Sequence, residues 1–131
     1  MLMLLKRVVN QVRSAARDMS TGGKRSSQWP KVEKTFRESH PTCAACGASS
    51  KIQVHHKHPF HLFPELELDP NNLISLCMGP NACHLFVGHG DNFKAWNPNV
   101  ESDAATSLAH PERRQAINEH AKANRVSGED A

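Results

Sequence analysis

The chain has no tyrosine, and aromatic residues make up only 5% of its 131 positions. So few large rings leave little material for an apolar core, and a domain of this size then needs a staple. Long hydrophobic runs are missing too. The apolar opening Met1-Leu2-Met3-Leu4-Leu5 is broken at once by Lys6 and Arg7, which excludes a signal-peptide core or membrane span there and makes a cytoplasmic protein the expectation. There is no internal repeat or low-complexity tract. Acids are scarce in the first half. Residues 1–60 hold eleven Lys or Arg against three acids, a net of +8, whereas residues 61–131 hold five against ten, a net of −5. A basic half suits a polyanion partner, because each phosphate contact releases counterions. An ordinary solvated helix and tail accounts for the asymmetry equally well.

What is present is concentrated. All four cysteines and six of the nine histidines fall between Cys43 and His89. Two disulfides would suit a secreted protein, but pairs separated by two and five residues beside so many histidines read better as thiolate ligands in a reducing compartment. Cys43, Cys46, Cys77 and Cys83 would then form a tetrahedral zinc site, whose apparent affinity of about 10 kcal/mol can stand in for the missing core. Gly47 lets the backbone turn around the first pair. The second pair departs from the usual spacing, because Gly79-Pro80 lengthens the turn between Cys77 and Cys83.

The periodicity outlines the remaining elements. Leu2, Leu5, Val8, Val9, Val12 and Ala16 recur at helical steps with Lys6, Arg7, Arg13 and Arg17 between them, giving a basic amphipathic helix over 2–18. Ser20 to Ser27 reads as a flexible linker. A second helix is expected from Pro30 to about Ser39, burying Val32 and Phe36. Residues 51–54 alternate as a strand ending at His55-His56, 59–71 form a broken loop, and 72–76 return as a second strand. Asn81 is placed to cap a short helix over 82–87, stopped by Gly88. Two exposed helices are expected over 101–109 and 111–125, with a frayed end from Ser127. Adjacent strand residues face opposite ways, so His55 and His56 divide the work, one as ligand and one as base.

Taken together, Cys43-x2-Cys46, His55-His56, Pro59, Asn72-Leu73-Ile74, Cys77 and Cys83-His84 resemble the HNH endonuclease family in its zinc-stapled branch. His84 to His89, with Asn92-Phe93-Lys94-Ala95-Trp96-Asn97-Pro98, further resembles HNH proteins of bacteriophage and bacterial genomes. The resemblance implies an α+β fold: a small ββα-metal core stapled by a four-cysteine zinc site, with flanking N- and C-terminal helices. It divides the chain into a basic helix and linker over 1–27, a nuclease domain over 28–98 and a helical extension over 99–131.

The same resemblance implies the site. His56 matches the general base, and Asn72 the asparagine that braces its loop. His55, His84 and His89 match ligands of a catalytic ion, although His89 lies about 140° from His84 around an ideal helix and needs the chain to leave it at Gly88. Three imidazoles favour Ni²⁺, Mn²⁺, Co²⁺ or Mg²⁺ for activity and tight binding of Zn²⁺. DNA would be cut to 5′-phosphate and 3′-hydroxyl ends. His61, Lys57 and Arg37 are candidate substrate contacts, as are Lys24, Arg25, Lys31 and Lys34. His40, His110 and His120 read as surface residues, and Trp29 and Trp96 as packing residues. Specificity would be weak or borrowed from partners such as phage DNA-packaging proteins. The rival readings are a silent zinc ribbon that binds nucleic acid and a metal-stapled structural adaptor.

Overall fold

The structure, a computed structural model, describes residues 24–128. The expected helix over 2–18 lies outside them. Residues 24–27, expected to be linker, are tied down: Glu67 is buried and its carboxylate accepts the Ser26 N–H at 3.2 and 3.3 Å while pairing with Arg25 at 3.6 Å. A carboxylate taken out of water requires such partners, and that requirement overrides the flexible composition of the segment.

Helix α1 spans Trp29–Ser39, with Pro30 in its first turn and the His40 N–H capping Phe36 O. Only Phe36 is buried on it, stacked on the His40 ring at 4.1 Å; Val32 is half-buried. The Cys43–Gly47 turn comes next, and Gly47 takes φ +79°, the left-handed conformation expected of a glycine there.

Strand β1, Ile52–His56, pairs antiparallel with β2, Leu73–Cys77, so that His55 faces Ile74 and His56 faces Leu73. β1 begins only after Lys51, whose φ is +54°. The loop between the strands holds two single 3-10 turns, Pro64–Leu66 and Pro70–Asn72, the second started by Asp69 accepting the Asn71 N–H.

The helix expected to begin after Asn81 starts two residues late. Ala82 has φ +43°, because the long turn after Cys77 must swing Cys83 back toward the other sulfurs before helical geometry can begin. The helical segment is a single π-helical turn, His84–Gly88, with Cys83 at its N-cap and His89 at its C-cap. A π turn is uncommon and recurs at functional sites.

The C-terminal region packs back onto this unit. Short strand β3, Ala95–Trp96, leads to helix α2, Val100–Ala109. A 3-10 turn at Pro111–Arg113 precedes helix α3, Arg114–Asn124. Ser127, where fraying was expected to begin, is paired: β4, Val126–Ser127, runs antiparallel to β3, and Arg125 donates to Gly90 O at 2.7 Å; residues 129–131 of that expected end lie outside the described residues. The main core joins Cys43, Cys77 and Cys83 to Ile74, Leu76, Val87, Val100 and Ala104, and a smaller cluster gathers Leu62, Phe63, Leu66 and Trp96. The fold is therefore α+β, two small antiparallel sheets with flanking helices. No helix among the described residues is long and apolar enough to cross a membrane.

Candidate metal centre and catalytic cleft

The four sulfurs of Cys43, Cys46, Cys77 and Cys83 all lie within 4.8 Å of one another. Cys46 and Cys77 are 3.6 Å apart, far beyond a disulfide bond and close to the ~3.8 Å edge of a tetrahedron with 2.3 Å zinc–sulfur bonds. Cys43 is pushed down to about 4, first by the hydrogen bond from Cys83 and then, against the cost of burial, by backbone N–H groups including that of Ala45. Cys83 and Cys77 are pushed up, Cys83 first through its hydrogen bond to Cys43 and Cys77 first through burial. One negative sulfur is stabilised by its neighbours' protons. Four thiolates in that space require a cation, and zinc fits the donor set.

A second cluster forms from His55 on β1, His84 in the π turn and His89 just after it, with ligand nitrogens also within 4.8 Å of one another. The π turn winds i to i+5 and so brings His89 round to His84 despite their five-residue separation; the His89 N–H still bonds to Leu85 O at 3.2 Å. Hydrogen bonding fixes the tautomers. His84 Nδ1 lies 2.7 Å from Gln53 Oε1 and His89 Nδ1 lies 2.7 Å from Ala95 O. Both oxygens only accept, so both Nδ1 atoms carry the proton and both Nε2 atoms present lone pairs. Those two lone pairs face each other at 3.2 Å, with His55 Nδ1 only 3.1 Å from His84 Nε2. Facing lone pairs repel unless a cation lies between them, so this donor set fits a metal ion. Burial first, and then neighbouring imidazoles, hold His55 well below its usual range and His84 down to about 4. His89 is also lowered by burial. All three are therefore neutral near pH 7, the state in which an imidazole can bind a metal.

His56 extends from the same strand but has a separate environment. Its ring lies 4.4 Å from that of Trp29, and its Nε2–H donates to Glu67 O at 2.9 Å. That bond leaves Nδ1 as the free basic nitrogen. Burial first, with Arg25 adding to it and the Glu67 carbonyl opposing, lowers the pKa of His56. Asn72 holds the loop that supplies this carbonyl: its Nδ2 donates to Leu66 O and His58 O at 3.1 Å, and its Oδ1 accepts the His58 N–H at 2.9 Å.

One cleft of about 600 Å³ is lined by both His56 and the three-histidine cluster, together with Arg25, Phe60, His61, Phe93 and Lys94. His61 is tethered at its edge, Nε2 lying 3.1 Å from Gly128 O. Lys57 and Arg37 are not among its lining residues. Lys57 pairs with Glu101 at 3.1 Å beside a second cleft, and Arg37 pairs with Glu33 at 2.8 Å along α1. Local spacing gave no sign that Lys57, one residue past β1, would turn away from the histidines toward α2.

Sequence reasoning also missed Gln53, Glu67, Lys94 and Asn97. Asn97 is fully buried, and its side chain donates to Val87 O at 2.9 Å and to Asp103 at 2.8 Å while its N–H donates to Gly88 O at 3.0 Å. It clamps the turn that carries His84. Its signals were a place in the 92–98 stretch of the resemblance and in an Asn-Pro turn, and the turn suggests surface and not core. Asn97→Ala is expected to cost about 2–4 kcal/mol, since it leaves the Val87 carbonyl and Asp103 each short of a buried partner. Nickel affinity should fall with stability. Urea unfolding and calorimetric nickel titration check this, and an unchanged affinity would mean that the turn holds its geometry without the clamp.

No curated protein and no solved structure matches this chain. Residues 43–88, which hold the cysteine staple, His55, His56, Asn72 and His84, match the family model for HNH endonuclease, and His89 lies immediately beyond the match.

Proposed function

We propose that this protein is a metal-dependent HNH endonuclease that hydrolyses DNA phosphodiester bonds. The observation that carries the reading is the shared cleft, in which three facing imidazole nitrogens suited to a metal lie with one neutral imidazole whose Nδ1 is free. A binding module has no need of that combination.

In this reading His55, His84 and His89 hold the catalytic ion, and the four cysteines hold a structural zinc. When bound, a divalent ion supplies positive charge to the scissile phosphate and to the departing 3′ oxygen. His56 takes a proton from water at Nδ1 as the water oxygen attacks phosphorus in line with the P–O3′ bond. That bond breaks, the departing 3′ oxygen takes a proton from solvent and His56 gives its own back to solvent, leaving 5′-phosphate and 3′-hydroxyl ends. Glu67 O holds the His56 tautomer, and Asn72 holds the loop that carries Glu67. Arg25 and Lys94, both lining the cleft, supply positive charge to the phosphates flanking the cut. Imidazole ligands favour Ni²⁺, Mn²⁺ or Co²⁺ over Mg²⁺, with Zn²⁺ bound tightly. Phage DNA-packaging proteins are the proposed partners, by family resemblance.

The test is nicking of supercoiled plasmid across Mg²⁺, Mn²⁺, Ni²⁺ and Zn²⁺, with His84→Ala beside the wild type. Ion-dependent nicking that falls at least ~100-fold in the variant is expected, the scale of removing charge stabilisation from a cleavage site. If the wild type binds plasmid but cuts it with none of these ions, the protein is a nucleic-acid-binding zinc module.

A further inference from the structure

Phe93 is the most exposed large hydrophobic side chain among the described residues, at 55%. It lies at the mouth of the histidine cluster, its ring centroid 5.0 Å from that of His89 and 5.8 Å from that of His84. It also lines the cleft that holds His56, Arg25 and Phe60. In a chain so poor in aromatics, a ring left in water directly beside metal-binding histidines has no packing function that its exposed area can serve.

We infer that Phe93 is a base-stacking platform, and that the preferred substrate is DNA in which the nucleotide beside the scissile phosphate is unpaired. The inference rests on the nuclease reading of the same cleft. A phosphate drawn to the histidine cluster brings its own sugar and base within reach of Phe93, one ring away from the ligands. In duplex DNA the base faces are covered by their neighbours in the stack, so an aromatic ring at the phosphate meets only sugar edges. Extruding a paired base carries an unstacking cost that a single strand, flap or loop largely avoids. Every base offers a π face, so stacking of this kind grips the strand without reading its sequence.

Phe60 supports the same picture. It lines the cleft as well, and the Arg25 guanidinium lies over its ring at 4.8 Å and over Trp29 at 5.2 Å. Arg25 is thereby held between two rings and Glu67 at the cleft, where it can meet the phosphate next along an unstacked strand. The cleft thus pairs aromatic surface with fixed positive charge, the combination used to hold single strands.

The test compares single-stranded and duplex oligonucleotides of equal length by fluorescence anisotropy, in a His56→Ala background with Ni²⁺ so that nothing is cut. Phe93→Leu is expected to weaken single-strand binding roughly 5- to 150-fold, the range for one lost base–aromatic stack, and to leave duplex binding nearly unchanged. Phe93→Trp should restore single-strand binding. If the ring merely packs on the histidines, Phe93→Leu will lower nickel affinity and weaken both substrates together, which overturns the inference. Equal binding by all variants overturns it as well. Cleavage by the His56 form, run in parallel, separates the two claims. Plasmid nicking without single-strand discrimination removes the stacking role alone, and discrimination without any cleavage removes the nuclease reading alone.

Discussion

His56→Ala is expected to lower cleavage by about 10²–10⁴-fold while leaving metal binding in place, because general-base catalysis contributes on that scale. His56 is not part of the three-histidine cluster, and its Nε2 is bonded to Glu67 O. Removing it should therefore spare the cluster, which calorimetric nickel titration of the variant can verify. The pH dependence follows from the lowered pKa of His56, whose first cause is burial. A base works only when unprotonated, so at saturating metal the rate should be flat above pH 6.5, the ordinary histidine value, and fall only below it. A wild-type profile still rising between pH 7 and 8 would assign the proton transfer to a different group. Comparable loss in Asn72→Ala with unaltered nickel affinity would extend the same argument to the loop that Asn72 holds.

With zinc on the four cysteines, as proposed, stripping it is expected to unfold the protein outright. Cys43, Cys77 and Cys83 are each about 1% exposed and sit within the main core beside Leu76 and Val87. Zinc binding of about 10 kcal/mol in apparent free energy matches or exceeds the whole stability of an ordinary small domain. Without it, four sulfurs packed within 4.8 Å of one another lose their common partner at the centre of the fold. Chelation, or Cys77→Ser, should abolish the cooperative thermal transition seen by circular dichroism, chelation releasing at least one zinc per chain. A chain that kept its cooperative melt after complete zinc removal would show that Leu76, Val87 and Val100 suffice as a core.

Acid should also weaken the fold through the histidine cluster. The three clustered histidines are depressed below 6.5, His84 to about 4. In the metal-free fold such groups bind fewer protons than in the unfolded chain between those values. Their contribution therefore favours the folded state above pH 6.5 and is lost progressively as pH falls toward 4.

Much of this site could be read before any fold was known, because metal ligands and their glycine turns are local. The Cys43-x2-Cys46 turn with its glycine and the strand ending in two histidines depend on residues near one another in the chain. The same holds for α1, where a proline start and a proline just past the end bracket the helix. The π turn that brings His89 to His84, by contrast, stood in place of the expected exit at Gly88. Expectations failed where a distant partner decided the outcome. The 24–27 segment is ordered by Glu67, 41 residues beyond Ser26 in sequence, and residues 125–127 are held by β3 and Gly90. Lys57 was drawn toward substrate by its charge and its place beside the histidines, yet it pairs with Glu101 from α2.

The order and type of the residues were enough to show which side chains offer metal-ligand atoms and how they are spaced along the chain. Which atoms of those side chains face one another came from the folded molecule alone. Ring orientation and tautomer follow from contacts with Gln53, Ala95 O and Glu67 O, and the turn between His84 and His89 is held by Asn97 through Val87 O; the spacing of the histidines predicts none of these contacts. Ligand identity is a property of single side chains. The direction of a lone pair is a property of everything packed around them.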